Sequence, residues 1–192
     1  AWTINRGLAI PDGLPSPLRE AVIATQKKFA VHLTAHMLDS STLSHALADS
    51  PVGMLAWLLK RWDAWSDDDN DVETVFGRND ILTHATIYGA GNGIDTSIRT
   101  YANNNRYPWQ PAHSRMPVVQ APTGITFVGY ENPPGVHTTD DQVRNFLASD
   151  RAPWYDHVSI TAHDHGGHFI PWEIPREWNE DLRRTVHLAR SA

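Results

Sequence analysis

The chemistry most readily read from this chain lies in a carboxylate and a histidine. Glu131 heads Glu131-Asn132-Pro133-Pro134-Gly135, and His168 closes Gly166-Gly167-His168. Each is expected just beyond the C-terminal end of a short strand, the edge at which open α/β sheets place ligands. Acid before histidine is also the closing order of one class of nucleophile–acid–histidine triads. A histidine titrating near neutrality can take a proton from water or a nucleophile. A carboxylate on its other ring nitrogen fixes the tautomer and steadies the imidazolium. On residue type and spacing alone, a solvated turn carboxylate and a loop histidine explain the pair equally well.

Two further constellations invite metal. His163, Asp164, His165 and His168 form H-D-H-x-x-H, with enough nitrogen donors for zinc or nickel. No second cluster at diagnostic spacing supports them, so the expectation is no metal and no cofactor. Asp67, Asp69 and Asp71 alternate like the start of a calcium loop. Val72 stands where that loop requires Gly, and Arg78 where it requires Glu, which favours a solvated loop.

The elements that must position these residues fall into two stretches. From Pro17 to about His36, Leu18, Val22, Ile23 and Leu33 recur near helical spacing. A short helix is expected over 40–47. Ser50-Pro51 then starts another to about Trp65, with Ser as N-cap and Pro at N1. Residues 79–104 read as one helix or two, weakened by Gly89, Gly91 and Gly93. The character changes after Tyr107-Pro108-Trp109. Ile125–Val128 and His157–Thr161 read as buried parallel strands, with helices over 139–149 and 175–190. Strand, helix, strand, helix is the closing portion of an α/β sheet, and two strands alone make a marginal one.

Composition sets the bounds. The 192 residues are 41% hydrophobic and 20% charged, with net charge -6, which gives no electrostatic footprint for nucleic acid. There is no cysteine, hence no disulfide or thiolate site. No apolar run approaches the roughly 18 residues of a membrane span, and no signal peptide is visible. Neither nucleic acid nor membrane is expected as a partner, and a cytoplasmic protein is the default expectation. Eight Trp and eleven His are many for this length, and packing Trp with surface His is the plain explanation.

Ala48-Asp49-Ser50-Pro51-Val52-Gly53-Met54-Leu55-Ala56-Trp57, Trp65-Ser66-Asp67, and Gly166-Gly167-His168-Phe169 with Trp172-Glu173 and Pro175 resemble the epoxide hydrolase family of the microsomal type. The similarity runs from about Phe29 to Arg184. It implies an α/β-hydrolase fold represented by its C-terminal portion and a mostly helical lid, with the core sheet incomplete in this chain. Residues 1–13 would be a connecting segment from the core, 14–115 the lid, and 116–192 the core part carrying acid and histidine. His168 is then the water-activating base and Glu131 its acid. Tyr101, in Arg99-Thr100-Tyr101, matches one of two lid tyrosines that donate to the epoxide oxygen. The other family position is His32 here. Together with Trp57 and Trp109, His32 is assigned to the substrate pocket, and these tryptophans and Trp62 favour an apolar substrate.

The family attacks the epoxide carbon with an aspartate on a nucleophile elbow. Neither G-x-D-x-G nor G-x-S-x-G occurs here, and the sole His-Gly pair is His165-Gly166. The resemblance therefore implies a fragment or one half of an epoxide hydrolase, with a small apolar epoxide as substrate. Its partner is an N-terminal nucleophile-bearing half, and a homodimer is compatible with it. A non-catalytic binding protein, or an esterase or dehalogenase reaction on the same fold, is the alternative.

Overall fold

A computed structural model describes residues 12–67, 69 and 71–191, and these form two compact units. One comprises the chain up to Ala64 together with Val72–Trp109, the other Trp65–Asp71 together with Gln110–Ala192. The expected connecting segment, apart from Asp12 and Gly13, lies outside the described residues, as do Asp68 and Asn70 of the acidic run.

The first unit is helical. Helices α1 (Ser16–Leu38), α2 (Ser40–Ala48), α3 (Pro51–Trp65), α4 (Arg78–Ala90) and α5 (Ile94–Arg106) follow one another, with a 3-10 turn at Val72–Thr74. The α3 start forms as its sequence dictates, Ser50 Oγ accepting the Gly53 N–H at 3.0 Å. The 79–104 stretch resolves into two helices because Asn92 takes a left-handed φ of 49° between Gly91 and Gly93. Helix α1 packs on α2 and α5, and α2 on α5. Leu47, Met54, Ile94 and Ile98 form the shared core, with Trp57 and Tyr88 half-buried against it. Trp62, counted among the tryptophans that favour an apolar substrate, is a buried residue, 7% exposed and stacked on Phe76 with ring centroids 5.5 Å apart.

The second unit is α/β. Strands β1 (Val119–Val128) and β2 (Tyr155–His163) pair in parallel, with Ile125 opposite Ile160 and Val128 opposite His163. Helix α6 (Thr139–Leu147) lies between them in sequence, capped by Thr138, whose hydroxyl accepts from Asp141 N. A one-turn helix α7 (Ile170–Glu173) and the long α8 (Pro175–Ser191) end the chain. Phe127 faces Phe146 of α6, whereas Thr126 donates to Asp181 of α8 at 3.0 Å. Alternate strand residues point to opposite faces, so α6 and α8 cover the two sides of the pair. Trp65–Asp71, placed in the lid by sequence, packs within this unit. Among the described residues no helix is long and apolar enough to cross a membrane.

Candidate active site

The ends of the two strands bring Glu131 and His168 together. β1 runs into a 3-10 turn at Gly129–Glu131. Gly129 lies so close to the loop after β2 that a Cβ there would collide with the Asp164 carbonyl oxygen. Asp164 is itself pinned, its carboxylate accepting from the buried Thr139 hydroxyl at 2.6 Å. The loop then turns at Gly166, whose φ of +89° favours glycine, and delivers His168. His168 Nδ1 stands 2.9 Å from Glu131 Oε1. A carboxylate can only accept, so Nδ1 carries the proton and Nε2 is left as the basic atom.

Both side chains are partly exposed, 49% for His168 and 39% for Glu131. The hydrogen bond that His168 donates to Glu131 raises the His168 pKa above its ordinary value. Burial opposes that rise, and the charges of Glu131 and Glu173 add to it. The Trp65 ring lies edge-on to the imidazole with centroids 5.2 Å apart, and the Phe169 ring is at the same distance.

In the helical unit, His32 Nε2 and the Tyr101 hydroxyl are 3.0 Å apart. Around this pair the Tyr101 ring meets His36 edge-on at 4.7 Å, and Trp57 stacks on His36 at 5.7 Å. Arg61 lies over the Trp57 indole at 3.4 Å and donates to its carbonyl at 3.0 Å. His36 is buried, and among the described residues neither ring nitrogen has a hydrogen-bond partner. Burial, with the Arg61 charge beside it, pushes its pKa down to about 4. Of the residues assigned to substrate, His32, Trp57 and Tyr101 therefore share one aromatic cluster. Trp109 sits exposed at the end of the unit.

The three histidines of H-D-H-x-x-H do not converge. His163 Nε2 meets Asp181 at 2.9 Å, His165 faces Glu177 at 3.9 Å, and His168 meets Glu131. Each is matched to a different carboxylate. Among the described residues no group of three or more such side chains could hold a metal ion.

Sequence reasoning missed the residues that hold the loop. Glu173 Oε2 accepts from the Gly167 and Asp67 N–H groups at 2.7 Å each, and its Oε1 from Phe169 N at 2.8 Å. Asp67 Oδ2 accepts from Gly166 N at 3.0 Å, and Trp65 O from His168 N at 2.9 Å. Both acids lie within the blocks that carried the family resemblance, without a role attached to them.

No protein-family model matches the chain. Epoxide hydrolase 1 of Oryctolagus cuniculus is 25% identical over 178 residues, covering 90% of this chain and 37% of its own length. Among solved structures, the epoxide hydrolase of Aspergillus niger matches with TM-score 0.60 at 26% identity, over 94% of this chain and 43% of that one. The juvenile hormone epoxide hydrolase of the silkworm Bombyx mori matches with TM-score 0.65 at 19% identity, over 91% and 47%. The fold is thus the corresponding portion of an α/β-hydrolase, as the sequence implied. The chain spans about two fifths of the length of the curated relatives it matches.

Proposed function

We propose that this chain is the lid and C-terminal part of an epoxide hydrolase that opens a small apolar epoxide to a diol, with His168 as base and Glu131 as its acid. The observation that carries the reading is the 2.9 Å contact between His168 Nδ1 and Glu131 Oε1, in a chain whose relatives are epoxide hydrolases.

In this reading an aspartate from outside the 192 residues attacks an epoxide carbon and the ring C–O bond breaks. The released oxygen takes the proton of the Tyr101 hydroxyl, a phenol that can donate from an apolar wall. The resulting ester is then hydrolysed. His168 Nε2 removes a proton from water, and the hydroxide adds to the ester carbonyl. Collapse of the adduct expels the diol and restores the aspartate. The proton held by His168 returns through solvent to the Tyr101 oxygen. Glu131 keeps the proton on Nδ1 in the resting state and steadies the charged ring. His32 orients the Tyr101 hydroxyl, and Trp57 and Trp109 provide apolar walls for substrate.

The test is turnover of an aryl epoxide by this chain assembled with a nucleophile-bearing half. Diol formation that depends on His168 is expected. Undiminished turnover by His168→Ala would remove the reading.

A further inference from the structure

The peptide groups that carry His168 are held by two acidic side chains and one carbonyl, an arrangement that the acid–base pair itself does not require. Four successive N–H groups are engaged. Gly166 N donates to Asp67, Gly167 N to Glu173, His168 N to the Trp65 carbonyl, and Phe169 N again to Glu173. Glu173 also accepts from Asp67 N, which ties the segment that supplies two of these acceptors to the loop it holds. The fit is close on every side. A Cβ at Gly167 would stand 2.7 Å from the Trp65 carbonyl oxygen and 2.8 Å from both Asp67 N and Glu173 Oε2. Ser66 between them is buried, and Gly166 rests on the buried Ile174.

A carboxylate suits this place for a definite reason. Three N–H donors converge on its two oxygens, so both must accept. An amide in the same place would turn its NH2 group toward at least one donor. Charge-assisted bonds of this kind are stronger than neutral ones and hold the loop correspondingly more firmly.

We infer that Glu173 is a positioning residue for His168: through the Gly167 and Phe169 amides and the Trp65–Asp67 segment, it fixes the loop that holds the imidazole against Glu131. The inference rests on the reading of His168 as the base, and it extends that reading by assigning a carboxylate outside the acid–base pair. Its negative charge also helps keep the ring protonated to higher pH, behind the larger contribution of Glu131. The charged groups around the imidazole are then Glu131 on the β1 turn, Glu173 on α7 and Asp67 on the packed segment.

The experiment reads the imidazole directly in the full chain, by NMR titration of His168 with amide hydrogen exchange. In Glu173→Gln we expect the His168 midpoint to fall and exchange at Gly167 or Phe169 to quicken roughly tenfold. Glu131→Gln should lower the midpoint while leaving those amides protected. Asp67→Asn, which keeps an acceptor oxygen for Gly166 N, should change little. Glu177→Gln, a carboxylate of α8 facing His165, should leave His168 unchanged. An unmoved His168 midpoint in folded Glu173→Gln would overturn the inference, whatever the amides do, as would an equal shift in Glu177→Gln. Should Glu173→Ala unfold, the near-isosteric Gln variant still decides. Because no turnover is read, failure here is separable from failure of the catalytic reading, which shows as activity in the assembled enzyme that persists without His168.

Discussion

Two histidines, one in each unit, are driven in opposite directions. His36 lies in the helical unit among Trp57, Tyr101 and His32, buried and without a hydrogen-bond partner among the described residues, and burial lowers its pKa to about 4. His168 in the α/β unit is half-exposed, and a carboxylate at 2.9 Å raises its pKa. The same side chain is thus kept neutral by desolvation in one place and made more basic by a charge in the other. Trp57 and Tyr101 set aromatic rings against His36 in the helical unit. The loop beyond β2 sets the second unit's histidine against a carboxylate that raises its pKa.

The largest effect expected from breaking this contrast is at the base. In the assembled enzyme, His168→Gln should lower the rate by about 10⁴-fold and leave the ester unhydrolysed. Intact mass measurement after exposure to epoxide should then show a persistent adduct. Next comes Glu131→Gln, with a loss of roughly 10³-fold, since the tautomer is no longer enforced. The base must be neutral to act, so activity rises with pH through the His168 pKa. Removing Glu131 lowers that pKa, and the acid limb of the pH–rate profile should move to lower pH.

The helical unit carries the smaller effects. His36 titrates near 6.5 when unfolded and about 4 when folded, so the unfolded chain binds the proton first as pH falls. Stability is therefore fully present above 6.5 and declines from there toward pH 4, by on the order of 3 kcal/mol in all. His36→Leu should flatten that decline, as read by urea unfolding at pH 7 and pH 4.5. A variant with the parent's slope would show that His36 is not its source. The smallest effect is Tyr101→Phe, expected to slow ring opening by about tenfold with Kd for the epoxide nearly unchanged. Single-turnover kinetics separate the two quantities.

Legibility differed between these regions for physical reasons. Ser50-Pro51 announced its helix because capping is local, and the Ser50 hydroxyl does what its type predicts. β1 was read as 125–128 but begins at Val119, because Pro122 and Gly124 mask a segment that pairing with β2 makes extended. Residue types and order leave the acid–histidine pair at even odds with a solvated turn and loop, and the family resemblance is what joins the two. The Asp67 and Glu173 contacts were not, because their work is to accept backbone N–H groups, and no side-chain pattern marks that. The H-D-H-x-x-H run does not show which acid each histidine meets, because the carboxylates matched to His163 and His165 lie on α8, well downstream.

One of those carboxylates has a wider effect. Asp181 on α8 receives Thr126 of β1 at 3.0 Å, Thr161 of β2 at 2.7 Å and His163 at 2.9 Å. Burial raises its pKa, but the bonds from His163, Thr161 and Thr126 outweigh burial and hold it low, so it stays charged. Thr126 and Thr161 are register partners, and Val128 and His163 the pair that ends the ladder. Sliding either strand by one residue would turn its threonine to the opposite face and leave the carboxylate short of a donor. Glu131 follows three residues after Val128, and His168 five after His163. A single acidic side chain on a helix therefore works as an alignment pin between the two strands, and the reach from acid to histidine is measured from it.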